Sequence, residues 1–230
     1  MRITQALSLV GVAQGTADQV VITVPDGGLV ANAVSMFGEP VAAQVLVQNA
    51  APVNITDISV DGTGGDMASS SNTWIAGIFY SSASSRTVNR VRTSNQIDGG
   101  CGVGIWAENS DPGNQSVTVQ NSSVYSIDNG GIFVASGDTP SLSVNLNTNT
   151  VNAGGVFGIV AQSVTSQIRG NVISNSSVAV FGNSAAISVT GNTIAASGYG
   201  VYLGKGGTAN GNHVSGSNIG FLLAAPGRYD

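Results

Sequence analysis

Hydrophobic and polar residues alternate along most of the chain in short runs, and Gly, Asn, Asp or Pro separate one run from the next. Val20, Ile22 and Val24, for example, lie at every second position just before the turn sequence at 25–28, which reads PDGG. A period of two residues predicts β-strands, and the separating residues predict turns. Because we find no long stretch with helical periodicity and an N-cap, we expect almost no helix.

One short phrase recurs: a Gly followed by β-branched, aliphatic or aromatic residues. It reads GIFY, GIWA, GIFV, GIVA, AVFG, GVYL and GFLL, starting at Gly77, Gly104, Gly131, Gly158, Ala179, Gly200 and Gly220. The successive steps are 27, 27, 27, 21, 21 and 20 residues. A nearly fixed period of this length, with one strand-like phrase in each unit, predicts a solenoid.

Each unit carries two further strand-like segments, and an Asn or Gly corner lies between them. The corner Asn recurs about once per unit, as Asn149, Asn171, Asn192 and Asn212. Asn tolerates left-handed backbone geometry, and stacked Asn side chains can hydrogen-bond to each other along a fibre or solenoid axis. We therefore expect these residues to form a structural ladder rather than a ligand site.

Three of these motifs carry a resemblance to a known family. They are the N-x-I/V corners at Asn171 and Asn192, the G-I/V-x-V/L strands, and the stretch from Ile3 to Leu9, which is similar to an I-x-x-x-L-x-L strand. With them the chain resembles right-handed parallel β-helices of the pectin-lyase-like superfamily over essentially its whole length. The resemblance implies an all-β, single-stranded right-handed parallel β-helix (solenoid) of roughly nine coils. That superfamily includes lyases, hydrolases, epimerases, adhesins and inert scaffolds, so the resemblance implies an architecture and not an activity.

Residues 1–230 are expected to form a single β-helix domain. The first strand-like stretch starts at Ile3 and the last phrase is close to Asp230, so no capping element is evident. Because open coils expose apolar core and unpaired strand edges, we expect an excerpt of a longer chain with uncapped ends, or self-association. The opening MRITQALSLVGVAQG is interpreted as a strand instead of a signal peptide, because its apolar stretch is short and lacks a clear cleavage site.

Composition narrows the set of partners. Charged residues are only 8% of the chain and the net charge is −5, so nucleic acid is not an expected partner. Cys101 is the only cysteine, which excludes an intrachain disulfide and a multi-cysteine zinc cluster. No apolar run reaches the length of about 18 residues that a membrane span needs. We expect no cofactor and no metal, and an extracellular or cell-surface location for the parent protein.

The recurring phrase also predicts which side chains face outward. If its Gly is position zero, the aliphatic residues at positions one and three face the axis, and positions two and four face away from it. Position two forms an outward column, here called the aromatic column: Phe79, Trp106, Phe133, Val160, Phe181, Tyr202 and Leu222. Position four places Ser81, Glu108, Ala135, Gln162 and Asn183 beside it.

Exposed aromatic rings beside carboxylate and amide groups suit sugar rings, which offer C–H faces and hydroxyl groups. The candidate ligand-binding residues are therefore Phe79, Trp106, Glu108, Phe133, Gln162, Phe181 and Tyr202. Two alternatives stay open: a loop or a partner covers the column, or the two faces of the strands are inverted. A soluble monomer rarely exposes such an apolar column without a function.

Weaker candidates are charged. Asp111 and Asp138 occupy equivalent positions in neighbouring units and could share a proton or bind a cation, or they could be solvated turn residues. Arg86, Arg90 and Arg92 precede Asp98 and Glu108; this set could hold an anionic sugar or form a surface ion network. His213, the single histidine, lies at a corner, and no catalytic triad can be built around it.

The leading hypothesis is a carbohydrate-interacting module that binds through the aromatic column. The alternative is a non-enzymatic structural or adhesive solenoid in which the column contacts another protein or a second copy. A polysaccharide lyase or epimerase that uses Asp98, the Arg cluster and Glu108 is the least favoured. The paired Asp-Asp of polygalacturonases, the R-I-K tripeptide, the D-P-H-D of alginate epimerases and the calcium-binding Asp cluster of pectate lyases are not recognisable in the sequence.

Overall fold

A computed structural model describes residues 1–12, 20–65, 72–82, 86–110, 115–137, 142–195, 197–224 and the backbone of 228–229. Strands and turns make up these ranges, and no helix occurs in them, as the alternating pattern predicted. Accordingly, none of the residues in these ranges forms a helix that is long and apolar enough to span a membrane.

The strands, numbered β1 to β27 in chain order, form three sheets. Sheet A contains β1 (Arg2–Ile3), β4 (Ala33–Val34), β5 (Pro40–Gln48), β8 (Trp74–Ser81), β11 (Gly102–Asn109), β14 (Gly130–Ser136), β17 (Phe157–Gln162), β20 (Val178–Asn183), β23 (Tyr199–Leu203) and β26 (Ile219–Leu223). Sheet B contains β2 (Leu7–Val10), β6 (Val53–Thr56), β9 (Arg86–Asn89), β12 (Gln115–Gln120), β15 (Leu142–Asn147), β18 (Thr165–Arg169), β21 (Ile187–Thr190), β24 (Thr208–Asn210) and β27 (Arg228–Tyr229). Sheet C contains β3 (Val21–Ile22), β7 (Ser59–Asp61), β10 (Arg92–Gln96), β13 (Ser123–Ile127), β16 (Thr150–Asn152), β19 (Val172–Ser174), β22 (Thr193–Ala195) and β25 (His213–Ser215).

The chain visits sheets A, B and C in turn, and each strand pairs in parallel with the equivalent strand of the next coil. Among the strands of the described residues, β4 alone departs from this rule, since it pairs antiparallel with β5. The architecture is the expected right-handed parallel β-helix, and sheet A provides nine parallel rungs. The recurring phrase stacks in register: Ile105 lies opposite Ile78 and Ile132, and Trp106 lies opposite Phe79.

The main core fills the inside of the solenoid. The residues at positions one and three of the phrase are buried in it from β8 to β23, together with inward residues of sheets B and C, while Phe221 and Leu223 of β26 are partly buried. The aliphatic members of the phrase therefore face the axis, and the faces of the strands are not inverted. Burial of apolar surface, at roughly 25 cal/mol per Å², is what drives each coil to pack on the next.

The corner between sheets B and C carries the Asn ladder. Each Asn Nδ2 donates to the Oδ1 of the Asn one coil further on, over 3.0 Å (Asn149 to Asn171), 2.9 Å (Asn171 to Asn192) and 2.8 Å (Asn192 to Asn212). The same Oδ1 atoms also accept backbone N–H groups of the preceding coil. The ladder is structural, but the Asn residues do not adopt the left-handed conformation. The residue before each Asn does: Thr148, Gly170, Gly191 and Gly211 have φ between 53° and 64°.

The first strand-like stretch differs from the expectation. Ile3 to Leu9 do not form one strand, because β1 pairs with β5 in sheet A and β2 pairs with β6 in sheet B. The stretch therefore passes from sheet A to sheet B, as the following coil does between β5 and β6. Ile3 is consequently buried, whereas Leu7 is 39% exposed.

Candidate functional site

The first half of the aromatic column is covered. Phe79 is fully buried and Trp106 is only 2% exposed, so the expected exposure of the whole column is wrong for these two residues. The cover is the first part of the β4–β5 hairpin, residues 33–39, which lies against the outside of sheet A, whereas β5 is itself a rung of that sheet. Residues of the hairpin and the column form a second apolar cluster, which is separate from the main core: Ala33, Val41, Ala43, Leu46, Trp74, Ala76, Phe79, Val103, Trp106 and Phe133.

The hairpin tip, residues 35–39, is fixed by its own hydrogen bonds. Ser35 N donates to Glu39 O over 2.8 Å, and Ser35 Oγ accepts the backbone N–H groups of Phe37 and Glu39 over 3.2 Å. Gly38 has a φ of 87°, a conformation that glycine adopts without strain. One bond joins the hairpin tip to the sheet: Met36 N donates to Glu108 Oε1 over 2.8 Å.

A cleft of about 400 Å³ lies between the hairpin tip and the outer face of sheet A. We call it the aromatic cleft; its lining residues are Ser35, Phe37, Glu39, Trp74, Trp106, Phe133 and Gln162. The ring centroids of Trp74 and Trp106 are 5.7 Å apart, those of Trp106 and Phe133 are 5.4 Å apart, and those of Phe37 and Phe133 are 6.0 Å apart. The ring planes of these pairs meet at 66°, 60° and 90°, so the rings form walls around a space rather than one flat platform.

Glu108 is buried beneath the hairpin tip, where position four of the phrase had been expected to face solvent. Desolvation raises the pKa of its carboxyl group to about 7, although the Met36 N–H, the charge of Arg86 and the Trp106 indole act in the opposite direction. Glu108 Oε2 and Trp106 Nε1 are both buried without a hydrogen bond of good geometry. The indole therefore compensates the buried carboxylate only weakly.

The second half of the column is more open. Phe133, Phe181, Tyr202 and Leu222 are partly exposed, while Val160 is 2% exposed and interrupts the aromatic sequence. From β17 onward, the rings of Phe157, Phe181, Tyr199 and Tyr202 form what we call the open aromatic cluster. Its centroid distances are 5.6 Å for Phe157–Phe181, 5.3 Å for Phe181–Tyr202 and 6.4 Å for Tyr199–Tyr202.

The structure separates the three arginines. Arg90 is exposed and forms a two-pronged ion pair with Asp57, both N–O distances being 2.6 Å. This pair raises the pKa of Arg90 and lowers the pKa of Asp57. Arg92 lies on sheet C, where its guanidinium is 5.4 Å from the centroid of the Tyr125 ring. The arginines therefore do not converge on one anion.

Arg86 faces the inside of the solenoid. Its guanidinium donates to the backbone oxygens of Tyr80 and Glu108 over 3.3 to 3.4 Å and to Gln115 Oε1 over 2.9 Å. Desolvation lowers its pKa to about 10. These hydrogen bonds connect sheets A and B at their shared corner. Because Arg86 is only 3% exposed, a ligand on the surface cannot reach it.

The remaining charged candidates lie elsewhere. Asp98 follows β10, and its backbone N–H donates to Asp128 Oδ2 over 2.7 Å in a turn held by that carboxylate. His213 begins β25 and is exposed. Asp111 and Asp138 lie outside the described residues, so the expected stacking of their carboxylates stays a prediction. Within the described ranges, no group of three or more His, Cys, Asp and Glu residues is placed to hold a metal ion.

Four lining residues were not among the candidates: Ser35, Phe37, Glu39 and Trp74. Trp74 was missed because the alternation of inward and outward side chains shifts by one position at Gly77. Ala76 and Phe79 are three residues apart, yet both face outward. Gly77 is required there, since a Cβ would lie 2.8 Å from the Gly104 carbonyl oxygen. The MFGEP turn between two alternating segments could have indicated the hairpin, but not the strand face that it covers.

The chain was compared with protein-family models, with curated proteins and with solved structures, and none of the three comparisons gave a match.

Proposed function

We propose that this β-helix is a carbohydrate-binding module whose site is the aromatic cleft, in an extracellular or cell-surface protein related to the pectin-lyase-like superfamily. One observation carries the proposal. The cleft combines four aromatic rings with a hydroxyl, a carboxylate and an amide group, from Ser35, Glu39 and Gln162. Such an apolar concave site with a few polar groups is the usual form of a small-ligand site.

The chemistry of the lining residues matches a sugar ring. The C–H faces of a sugar pack on aromatic rings, and its hydroxyl groups exchange hydrogen bonds with carboxylate and amide side chains. A cleft of about 400 Å³ falls within the usual range for ligand pockets and has room for a short stretch of glycan. Phe37, 45% exposed at the hairpin tip, is available to contact the ligand directly.

The lyase or epimerase alternative has less support. Arg90 is paired with Asp57, Arg86 faces the interior, and Asp98 is in a turn anchored by Asp128. Glu108 lies under the hairpin tip rather than among the cleft-lining residues. The residues named for catalysis are thus distributed over different sheets and corners.

The test is a binding screen against a panel of polysaccharides and oligosaccharides, followed by titration calorimetry on the best ligand. Phe37→Ala removes one wall of the cleft and should weaken binding roughly tenfold, as expected for the loss of one aromatic contact. Val34→Ala is the matched control, since Val34 is an exposed apolar residue of the same hairpin that does not line the cleft. Absence of binding to every glycan, or equal effects of the two variants, would reject the proposal.

The structural or adhesive alternative is favoured by a separate observation, the partial exposure of the open aromatic cluster. If this cluster is an interface between two copies, Phe181→Ser should convert a dimer into a monomer in analytical ultracentrifugation. Trp106 is unsuitable for this test because it is buried, and its replacement would disturb the fold. A wild-type protein that is monomeric at all concentrations would exclude self-association through this cluster.

A further inference from the structure

The charged groups at the aromatic cleft are acidic. The Glu39 carboxylate is exposed at its rim, and the Glu108 carboxyl group is buried close by, two residues from Trp106 on the same face of β11. None of the described residues that line the cleft is a Lys or an Arg. The cleft is therefore a place where a positive charge is favoured and a negative charge is not.

We propose that the glycan bound in the aromatic cleft carries a protonated amino group, so that the ligand is an amino sugar rather than a neutral or uronic sugar. The inference rests on the proposed function, because it specifies the ligand of the same site. The ammonium group lies among the aromatic rings and is neutralised by Glu39, and the carbon skeleton of the sugar packs on Phe37 and Phe133.

The ring geometry favours a cation. Flat stacking of a neutral sugar needs one open ring face, whereas the rings here meet at 60° to 90° and enclose a space. Several aromatic rings that line one space, with Trp as the strongest contributor, can bind an ammonium group by cation–π attraction. Both tryptophans of the chain, Trp74 and Trp106, belong to this set.

A second observation is the unsatisfied acceptor. Glu108 Oε2 is buried and makes no hydrogen bond of good geometry, so an unsatisfied carboxyl oxygen lies beside the Trp106 indole. Because desolvation raises the pKa of this group to about 7, it acts in mildly acidic buffer through its dipole and not as a full negative charge. A cation in the cleft would be attracted to this oxygen through the apolar cluster, where the effective dielectric constant is low. The net charge of −5 adds a weaker attraction at long range.

The same geometry argues against anionic sugars. Guanidinium groups are the usual partners of uronate carboxylates. Arg90 is bound to Asp57, Arg86 is buried in the interior, and Arg92 lies against Tyr125 on sheet C. A uronate in the cleft would face Glu39 without a cation among the described lining residues.

The experiment compares three oligosaccharides of equal chain length by titration calorimetry in mildly acidic buffer. They are a glucosamine oligomer, its N-acetylated form and a glucose oligomer. The glucosamine oligomer should bind at least about tenfold more tightly than the other two. Glu39→Gln should remove most of this preference; Glu39 is exposed, so the fold should be unaffected.

The outcomes separate the two proposals. If all three oligomers bind equally and Glu39→Gln has no effect, the amino-sugar inference is overturned while glycan binding stands. If none binds, and no glycan of the wider panel binds either, both proposals fail. If the glucosamine oligomer binds most tightly but Glu39→Gln and Phe37→Ala leave its affinity unchanged, the cation is recognised elsewhere on the protein, and the inference is equally rejected.

Discussion

The same phrase has two different environments in the two halves of sheet A. In β8 and β11 its outward ring is buried beneath the β4–β5 hairpin, whereas in β20 and β23 the equivalent rings are partly exposed. The inward residues of all four of these strands are buried. A repeat can therefore specify the core of a solenoid on its own, but the use of its outer face depends on a segment outside the repeat.

The corner between sheets B and C differs between the halves as well. The residue after the left-handed corner is Ile58 or Val91 in early coils, and Asn in the coils that contain Asn149, Asn171 and Asn192. The early coils are thus joined at this corner by apolar packing, and the later coils by a chain of buried amide hydrogen bonds. The covered half adds a second apolar cluster to this packing.

The largest expected difference between the halves comes from removing an outward ring. Trp106→Ala should lower the free energy of unfolding by about 4 kcal/mol, because it leaves a cavity beneath the hairpin. Phe181→Ala, in the open half, should cost about 2 kcal/mol or less, because water can fill the space. Urea denaturation followed by circular dichroism measures both values. Equal losses would contradict the division into a covered and an open half.

Asn171→Ala should cost about 3 kcal/mol, since it removes hydrogen bonds to Leu146 O and Asn192 and leaves the Asn149 N–H buried without a partner. Asn152→Ala is a matched control. Asn152 accepts a hydrogen bond from an Asn of the next coil, Asn175, but it is partly exposed, and its loss should cost less than about 1 kcal/mol. The same denaturation assay compares them. A small effect of Asn171→Ala would show that the Asn ladder contributes little to the stability of the second half.

Glu108 gives the covered half a dependence on pH. Its pKa in the folded protein, about 7, is above its ordinary value of 4.5, so the folded state holds the proton more tightly than the unfolded state. The contribution of Glu108 to stability should therefore be greatest below pH 4.5, fall as the pH rises towards 7 and level off above it, with a total loss of about 3 kcal/mol. Glu108→Gln should flatten this profile, whereas Glu39→Gln should keep it. A wild-type profile that rises over this range would contradict the assignment.

The smallest effect is expected for Tyr202→Ala in the open half. Because Tyr202 is partly exposed, the change should cost about 1 kcal/mol of stability. It should leave glycan affinity unchanged, since Tyr202 does not line the cleft. Titration calorimetry with the same glycan measures the affinities of Tyr202→Ala and Phe37→Ala for comparison. A loss of affinity in Tyr202→Ala would place the ligand along the open column and extend the site beyond the hairpin.

The sequence predicts the architecture well because local alternation and a regular period determine it. The inward column of Ile78, Ile105 and Ile132 followed from period two within one strand, and its register followed from the step of 27 residues. The Asn ladder was predicted for the same reason. The Asn was expected to be the left-handed residue, because Asn tolerates positive φ better than a β-branched residue does. The residue before it, Thr148, is left-handed instead, since the Asn149 side chain is held in the buried ladder.

The site was predicted only in part. Trp106, Phe133 and Gln162 were among the candidates and do line the cleft, but Phe37 and Glu39 come from a hairpin more than thirty residues before Trp74 in the chain. Which strand face a hairpin covers depends on long-range packing, and no periodicity encodes it. The same packing buried Phe79 and Glu108, which strand alternation alone would leave in solvent.

Tryptophan fluorescence tests the location of the site most directly. Trp74 and Trp106 are the only tryptophans of the chain and both line the aromatic cleft, while the open aromatic cluster contains none. Titration with a bound oligosaccharide should change the tryptophan emission with the same dissociation constant that calorimetry measures, and should protect Trp74 from a soluble quencher. Calorimetric binding with unchanged emission and unchanged quenching would show that the ligand binds away from the cleft.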